Sequence, residues 1–481
     1  MKYLTLAILL LAAMLCGCSD DDENIPVTPV ETIDTLYVDA SNTQPGDGTQ
    51  ADPFNTITAA LAVASTGDEI QIAAGNYDTD ETFPLVLKPG LKLIGTGNTT
   101  TRINGTIVDS LTGNDPIQLQ GLSFTEFTFK RPAATGVVSG TNRITNCRAF
   151  GGISFQHGGG HNALVDSSTV TGYLRFFSAA GASVNVVRYN SVGGEIAFGN
   201  GSGANDTIRN NNVNGIIDYK SAASNAIINE NNVVGNIVEA SGEGVQIIAD
   251  NTVLYHLPVT ADDSAAITST GSSATITGNN IYADQGASGI RANAGPTTVD
   301  SNVIEVDGTG LGIYANFGGN GHIVGNTISG GNIGIFSSSA ATLVAHNAIT
   351  GCVTGVYTSD AARYSNNSIS ICTGDGYVNY GGAGPVDSNT IINNGGAGFR
   401  NVMGTIDLGG GADNCPGWNV FTGNGNYDLY NEYSQPLKAE NNSWDHADSL
   451  DIDTLDVYDD DENGSVGAVD FMPIRTTGGT L

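Results

Sequence analysis

The chain has 481 residues, 40% of them hydrophobic, which is enough for a long repetitive domain and excludes a wholly disordered protein. Asp and Glu number 49 against 17 Lys and Arg, a formal net charge of -32. That balance argues against nucleic acid as a partner, and against anionic polysaccharide unless cations bridge the contact.

The N-terminus reads as a targeting signal. Lys2 precedes the apolar run "LTLAILLLAAML", which is too short to span a bilayer. The run ends in Leu15-Cys16-Gly17-Cys18, which resembles the bacterial lipobox. The resemblance implies cleavage after Gly17 and lipid on Cys18, a membrane anchor in a Gram-negative envelope. The acidic run Asp20 to Glu23 resembles the surface-export signals of some lipoproteins, so the outer membrane or cell surface is the expected location. Residues 18–35 then read as a flexible acidic tether. The chain divides at 1–17 (signal peptide), 18–35 (tether), 36–110 (cap and first coils), 111–445 (repeating coils) and 446–481 (acidic C-terminal cap).

Behind the tether, "TITAALAVAS" (56–65) predicts a short apolar helix with a polar start. Such a helix suits the open end of a solenoid, which would otherwise expose core and strand edges.

A repeat occupies most of the remaining chain. The residue two places before a recurring apolar position is Asn146, Ser168, Asn190, Asn211, Asn231, Asn251, Asn279, Asn302, Asn326, Asn347, Asn367, Asn389, Asn419 and Asn442. A period of about 21, with short Val and Ile alternations between Gly and Asn, predicts one coil of a parallel β-helix. A leucine-rich repeat has a similar period, but its Leu framework is missing. The fold class is therefore all-β: a single-stranded parallel β-helix of roughly sixteen to eighteen coils with a short N-terminal capping helix. Coils about 4.8 Å apart stack equal positions into columns, and stacked Asn amides bond from coil to coil. Asn also tolerates the left-handed backbone of a turn, so the ladder residues themselves are expected there. Long steps after Asn251, Asn302 and Asn389 predict loops overhanging a face, where clefts are built.

Strand alternation sorts two columns. Phe155, Phe176, Phe198 and Tyr219 point inward. Arg291, Tyr314, Phe336, Tyr357, Val378 and Arg400 point outward. Aromatics and arginines on successive rungs predict a flat stacking surface for sugars, with Arg291, Tyr314, Phe336, Tyr357 and Arg400 as ligand-binding residues; the competing reading is packing that stabilises the sheet. Cys352 and Cys372 each sit five after a ladder Asn on neighbouring coils, inside the backbone range of a disulfide. Stacked free thiols are the alternative. In the tail, "DDDENGSVGAVD" places Asp459, Asp461, Asn463 and Asp470 at the oxygen-ligand positions of an EF-hand-type loop, so Ca²⁺ is the one cofactor the spacing allows, and none is required.

The segments "YVDASN", "GDGT…DPFNTI", "GDEIQIAAGNY" and "FPLVL…LIGTG", with "NNSWD" and "VYDDDENGSVGAVDFMP" at the far end, resemble a bacterial domain-of-unknown-function family. That family belongs to the pectin-lyase-like, right-handed parallel β-helix superfamily. The resemblance covers nearly the whole mature chain and implies architecture more than activity, although relatives with this fold cleave polysaccharides. Glycoside hydrolysis needs two placed carboxylates. The Asp pair of the coiled region is Asp262-Asp263, in a predicted loop, and with His256 it forms the catalytic candidate set. Gly-His-Gly is missing; "GGGHN" at His161 and "GNGHI" at His322 approximate it poorly. Between residues 100 and 440 Lys occurs at 130, 220 and 438 alone, too few for uronate chemistry. The expected function is a cell-surface lipoprotein that binds carbohydrate or a cell-surface polymer, or serves adhesion, without catalysis. A polysaccharide lyase or glycoside hydrolase, or a passive spacer, are the alternatives.

Overall fold

The computed structural model describes residues 34–109, 113–132, 140–157, 160–178, 183–199, 205–220, 225–240, 244–256, 264–271, 273–293, 295–411 and 414–475. The period of the sequence is the period of the coils. Leu174–Ser178 lies in parallel register on Ile153–His157, and Asn185–Arg188 on Asn162–Asp166. Among the described residues, repetition of that pattern builds one 31-stranded sheet and one 16-stranded sheet. A typical coil gives two strands to the first sheet and one to the second. The chain is thus a parallel β-solenoid, as its alternation predicts.

Apolar residues fill the lumen because every second side chain of a strand points inward. Asn225–Asn229 shows it plainly: Ala226 and Ile228 are buried while Asn225 and Ile227 face out. The predicted inner aromatics follow one another in line, the last ring tilted 41° to its neighbour. Phe155 and Phe176 have ring centroids 5.1 Å apart, Phe176 and Phe198 4.6 Å, and Phe198 and Tyr219 5.4 Å.

The asparagine ladder is continuous from Asn190 to Asn442. Each Nδ2 donates to the Oδ1 of the next Asn, and each backbone N–H donates to the same oxygen, as at Asn211 on Asn231 (both 3.0 Å). Long coils do not break it: Asn251 bonds Asn279, and Asn389 bonds Asn419, at 3.0 Å. Two details differ from the sequence reading. The left-handed residue is the one before each ladder Asn, such as Tyr189, Glu230, His346 or Trp418, at φ between 55 and 62°. That bend turns the following Asn into the lumen, where its amide rather than its backbone tolerance is what the site needs. Asn146 is itself such a bend residue (φ 50°), so Cys147 holds the first ladder place and its N–H donates to Ser168 Oγ at 3.1 Å.

Both ends are closed. Helix Ile57–Val63 buries Ile57, Ala60 and Leu61, its Thr56 cap accepts from Ala59 N, and Glu81 accepts from the N–H groups of Ile57 and Thr58. A carboxylate there satisfies orphan donors and meets the positive end of the helix dipole. At the far end Trp444 stacks on Phe421 at 5.3 Å and is flanked by Phe471. The sheet also continues past residue 445, because Val457–Tyr458 pairs with Leu429–Asn431.

Candidate functional site

The predicted outward column exists as a register. Arg291 pairs with Tyr314, Tyr314 with Phe336, Phe336 with Tyr357, Tyr357 with Val378, and Val378 with Arg400. Its rings do not form a flat platform, however. Tyr314 and Phe336 lie 5.2 Å apart with planes 3° from parallel, and Phe336 and Tyr357 5.5 Å apart at 6°. Rings on consecutive rungs therefore lie upon one another and turn edges, not open faces, to solvent. The Arg291 guanidinium covers the outer face of Tyr314 at 4.6 Å, and Tyr380 follows Tyr357 at 6.0 Å. Val378 is buried and separates this stack from Arg400.

Arg400 belongs to a different place. The register carries on from it to Tyr430 and then Tyr458. Beside them opens a cleft of about 540 Å³ lined by Asp375, Ala397, Arg400, Gly425, Asn426, Tyr427, Tyr430 and Glu432. The Arg400 guanidinium gives its Nε and Nη2 to Glu432 Oε1 at 3.0 and 2.7 Å, and its Nη1 to Asp375 Oδ2 at 3.3 Å. Asp375 is itself held by the Ala397 N–H at 2.8 Å. Tyr427 packs against the stacked Tyr430–Tyr458 pair, with centroids 5.8 and 5.4 Å away and planes tilted 44° and 57°. The arrangement combines one tilted aromatic wall, fixed acceptors and an amide, which is what hydroxyl-rich ligands require. Sequence reasoning missed Glu432, Tyr427 and Tyr430 because the column was followed no further than Arg400. The signal was present: Asn389 to Asn419 is a step of 30, and the same step from Arg400 reaches Tyr430.

The other predicted residues are dispersed. His256 is exposed at the end of a strand of the smaller sheet, with Nδ1 2.7 Å from Asp284 Oδ2; Asp262 and Asp263 lie outside the described residues, as does Cys18. His161 is buried at the edge of the Phe129 ring. Cys352 and Cys372 are buried free thiols, not a disulfide. Stacked rungs point both side chains the same way, so the thiols share a hydrogen bond, which with burial raises the Cys352 pKa, instead of meeting in bridge geometry. The EF-hand-type loop is not assembled either. Asp459 accepts from the N–H groups of Asp461 and Val469, Asp470 pairs with Lys438, and Asp459, Asp461 and Asp470 do not gather their carboxylates.

Among the described residues the carboxylates that do converge are Asp428, Asp445 and Asp456, with ligand atoms within 4.8 Å of one another. Burial, then the charges of Asp445 and Asp456, push the Asp428 pKa up to about 7 against two hydrogen bonds that lower it, from the Asn424 amide and the Asp445 N–H. The folded state then keeps a proton between about pH 4 and 7 that the unfolded chain, with an ordinary carboxyl pKa of about 3.9, has lost. This group's contribution to stability is present in acid and disappears as pH rises through 7. Asp428→Asn is expected to gain about 1–3 kcal/mol relative to wild type on going from pH 4.5 to pH 8. Urea midpoints at the two pH values check it; an equal difference at both would sink the assignment.

All-parallel coils around a filled lumen, closed at both ends and carrying an internal asparagine ladder, define a parallel β-helix protein. A family model described as "Protein of unknown function (DUF1565)" matches residues 40–255, and one described as "Right handed beta helix region" matches residues 265–408. With the parallel coils, these two matches support a right-handed β-helix family of the pectin-lyase-like type. Among solved structures it is similar to the mannuronan C-5 epimerase AlgE6 A-module of Azotobacter vinelandii, at 12% identity, over 76% of this chain and 92% of that one, with a TM-score of 0.22. A likeness of that degree says nothing of this chain's activity. No curated protein sequence matches.

Proposed function

We propose that this β-helix binds carbohydrate in the Arg400 cleft and is displayed on the envelope of a Gram-negative bacterium by lipid on Cys18. The observation that carries the reading is the cleft itself: Tyr427 and Tyr430 packed as one aromatic wall, beside Asn426 and two fixed carboxylates. Aromatic walls supply apolar contact to sugar rings, and the polar side chains bond hydroxyls. The lipobox and the acidic tether support the location. Adhesion to a cell-surface polymer is the role such a binder would serve.

Binding on a glycan array, followed by calorimetry on each hit, tests the reading. Tyr427→Ala is expected to weaken binding by at least about tenfold, which is ~1.4 kcal/mol. Tyr314→Ala, in the self-stacked column, is expected to leave it unchanged. Equal effects of the two substitutions would move the site away from the cleft.

A second reading has one specific support. The cleft holds an arginine between two carboxylates, a set that hydrolysis or elimination on a polysaccharide could use. Product analysis on any bound polysaccharide tests it, and intact polymer after prolonged incubation rules it out.

A further inference from the structure

We infer that Glu432 is the specificity-determining residue of the Arg400 cleft: its carboxylate fills the guanidinium edge that a uronate would need, so the site takes glycans without carboxylates. This rests on the reading of the cleft as the ligand site.

A guanidinium recognises a carboxylate best through a two-pronged edge, two N–H groups side by side. In Arg400 the Nε–Nη2 edge is held by Glu432 Oε1 at 3.0 and 2.7 Å. The remaining nitrogen, Nη1, is turned to Asp375 Oδ2 at 3.3 Å. All three nitrogens are thus engaged by the protein's own acids. Arg400 is the sole cation among the lining residues, so with Asp375 and Glu432 opposite it the lining is net negative. A sugar carboxylate would have to displace Glu432 or lie against it, on a chain whose formal net charge is already -32. Hydroxyl and ammonium groups meet the opposite situation, since Glu432 uses the same oxygen for both of its bonds to Arg400 and its second oxygen is an acceptor at the cleft.

The test uses the full chain, with calorimetric titration of three probe sets: neutral hexose oligosaccharides, glucosamine oligomers, and galacturonate or mannuronate oligomers. Wild type is expected to bind a member of the first two sets at least tenfold more tightly than any uronate. Glu432→Ala, which frees the edge, is expected to shift that ratio at least tenfold toward uronates, and Tyr427→Ala to weaken every ligand alike. Uronate preference in wild type that Tyr427→Ala abolishes would overturn the inference while leaving the cleft as the binding site. An unchanged ratio in Glu432→Ala would overturn it too. No binding in any set would overturn both.

Discussion

Asn302→Ala is expected to lower the stability of the coil stack by about 3–5 kcal/mol, although the substitution removes only a few atoms. Asn302 Nδ2 donates to Ile276 O and to Asn326 Oδ1, both at 2.9 Å. Its Oδ1 accepts the N–H of Asn279 at 3.0 Å and the Nδ2 of Asn279 at 2.9 Å. The residue is fully buried. Alanine orphans the Asn279 N–H and removes three further bonds, those to the Asn279 amide, the Ile276 carbonyl and Asn326 Oδ1, in a packed interior; the Asn279 amide keeps Ile248 O and Thr277 O. The orphaned group costs about 1–3 kcal/mol, to which each lost bond adds its smaller net value. Asn302→Asp is expected to be no better, since it keeps the acceptor, loses both donors and adds a buried charge. Asn280→Ala is the control. Asn280 is exposed and its N–H bonds Asn251 O through the backbone, so its loss should stay within about 0.5 kcal/mol. Urea unfolding gives the global number, and hydrogen exchange at Asn279 shows whether the opening is local, as repeat architectures permit. A loss below about 1 kcal/mol for Asn302→Ala would mean that the ladder is ornament to a stack held by its apolar core.

The ladder also shows what a solenoid sequence makes legible. Neighbours in space are one coil apart in sequence, so a period written in residues is a list of contacts. That is why the inward set Phe155, Phe176, Phe198 and Tyr219 and the outward set from Arg291 to Arg400 can be sorted by alternation alone. Alternation fixes which way a side chain leaves the strand; it does not fix the tilt of a ring. A flat surface needs the outward rings to lie on the sheet, but parallel neighbours one rung apart gain more by lying on one another, and Arg291 completes the pile. The bend before each ladder Asn is hidden for a related reason. Residues with a left-handed preference, such as Asn210, Gly278, Gly325 and Asn366, occupy it alongside Tyr189, Glu230 and Trp418, so no single residue type marks it. Sites drawn from turns are the least visible. Asp428 and Asp445 come from bends near the last coils and Asp456 from a short helical turn, Ile452–Asp456, and Glu432 lies just past a long step, where the period no longer predicts who meets whom.

The buried ion pair in the first coils supplies the other large effect. Arg131 and Asp109 have fully inaccessible side chains. The guanidinium bonds Asp109 through Nε and, at 2.7 Å, through Nη2 to Oδ1; its Nη1 bonds the carbonyls of Asp115 and Gly113 at 2.9 and 3.1 Å, and it lies 4.8 Å above the Phe129 ring. Two charges out of water cost several kcal/mol each, and their attraction offsets that only while both are present and bonded. Arg131→Met therefore removes the counter-charge of a buried carboxylate, and Asp109→Leu that of a buried guanidinium. Each is expected to cost about 3–5 kcal/mol. The double substitution removes both desolvation terms and replaces them with apolar volume, so its loss should be smaller than either single loss, and the sum of the singles should overshoot it by several kcal/mol. A double-mutant cycle in urea, where the denaturant carries no charge to screen the pair, reads the difference directly. Additive losses would show that the pair is not a unit. In that case the carbonyls of Gly113 and Asp115, rather than Asp109, are what hold Arg131 in the core.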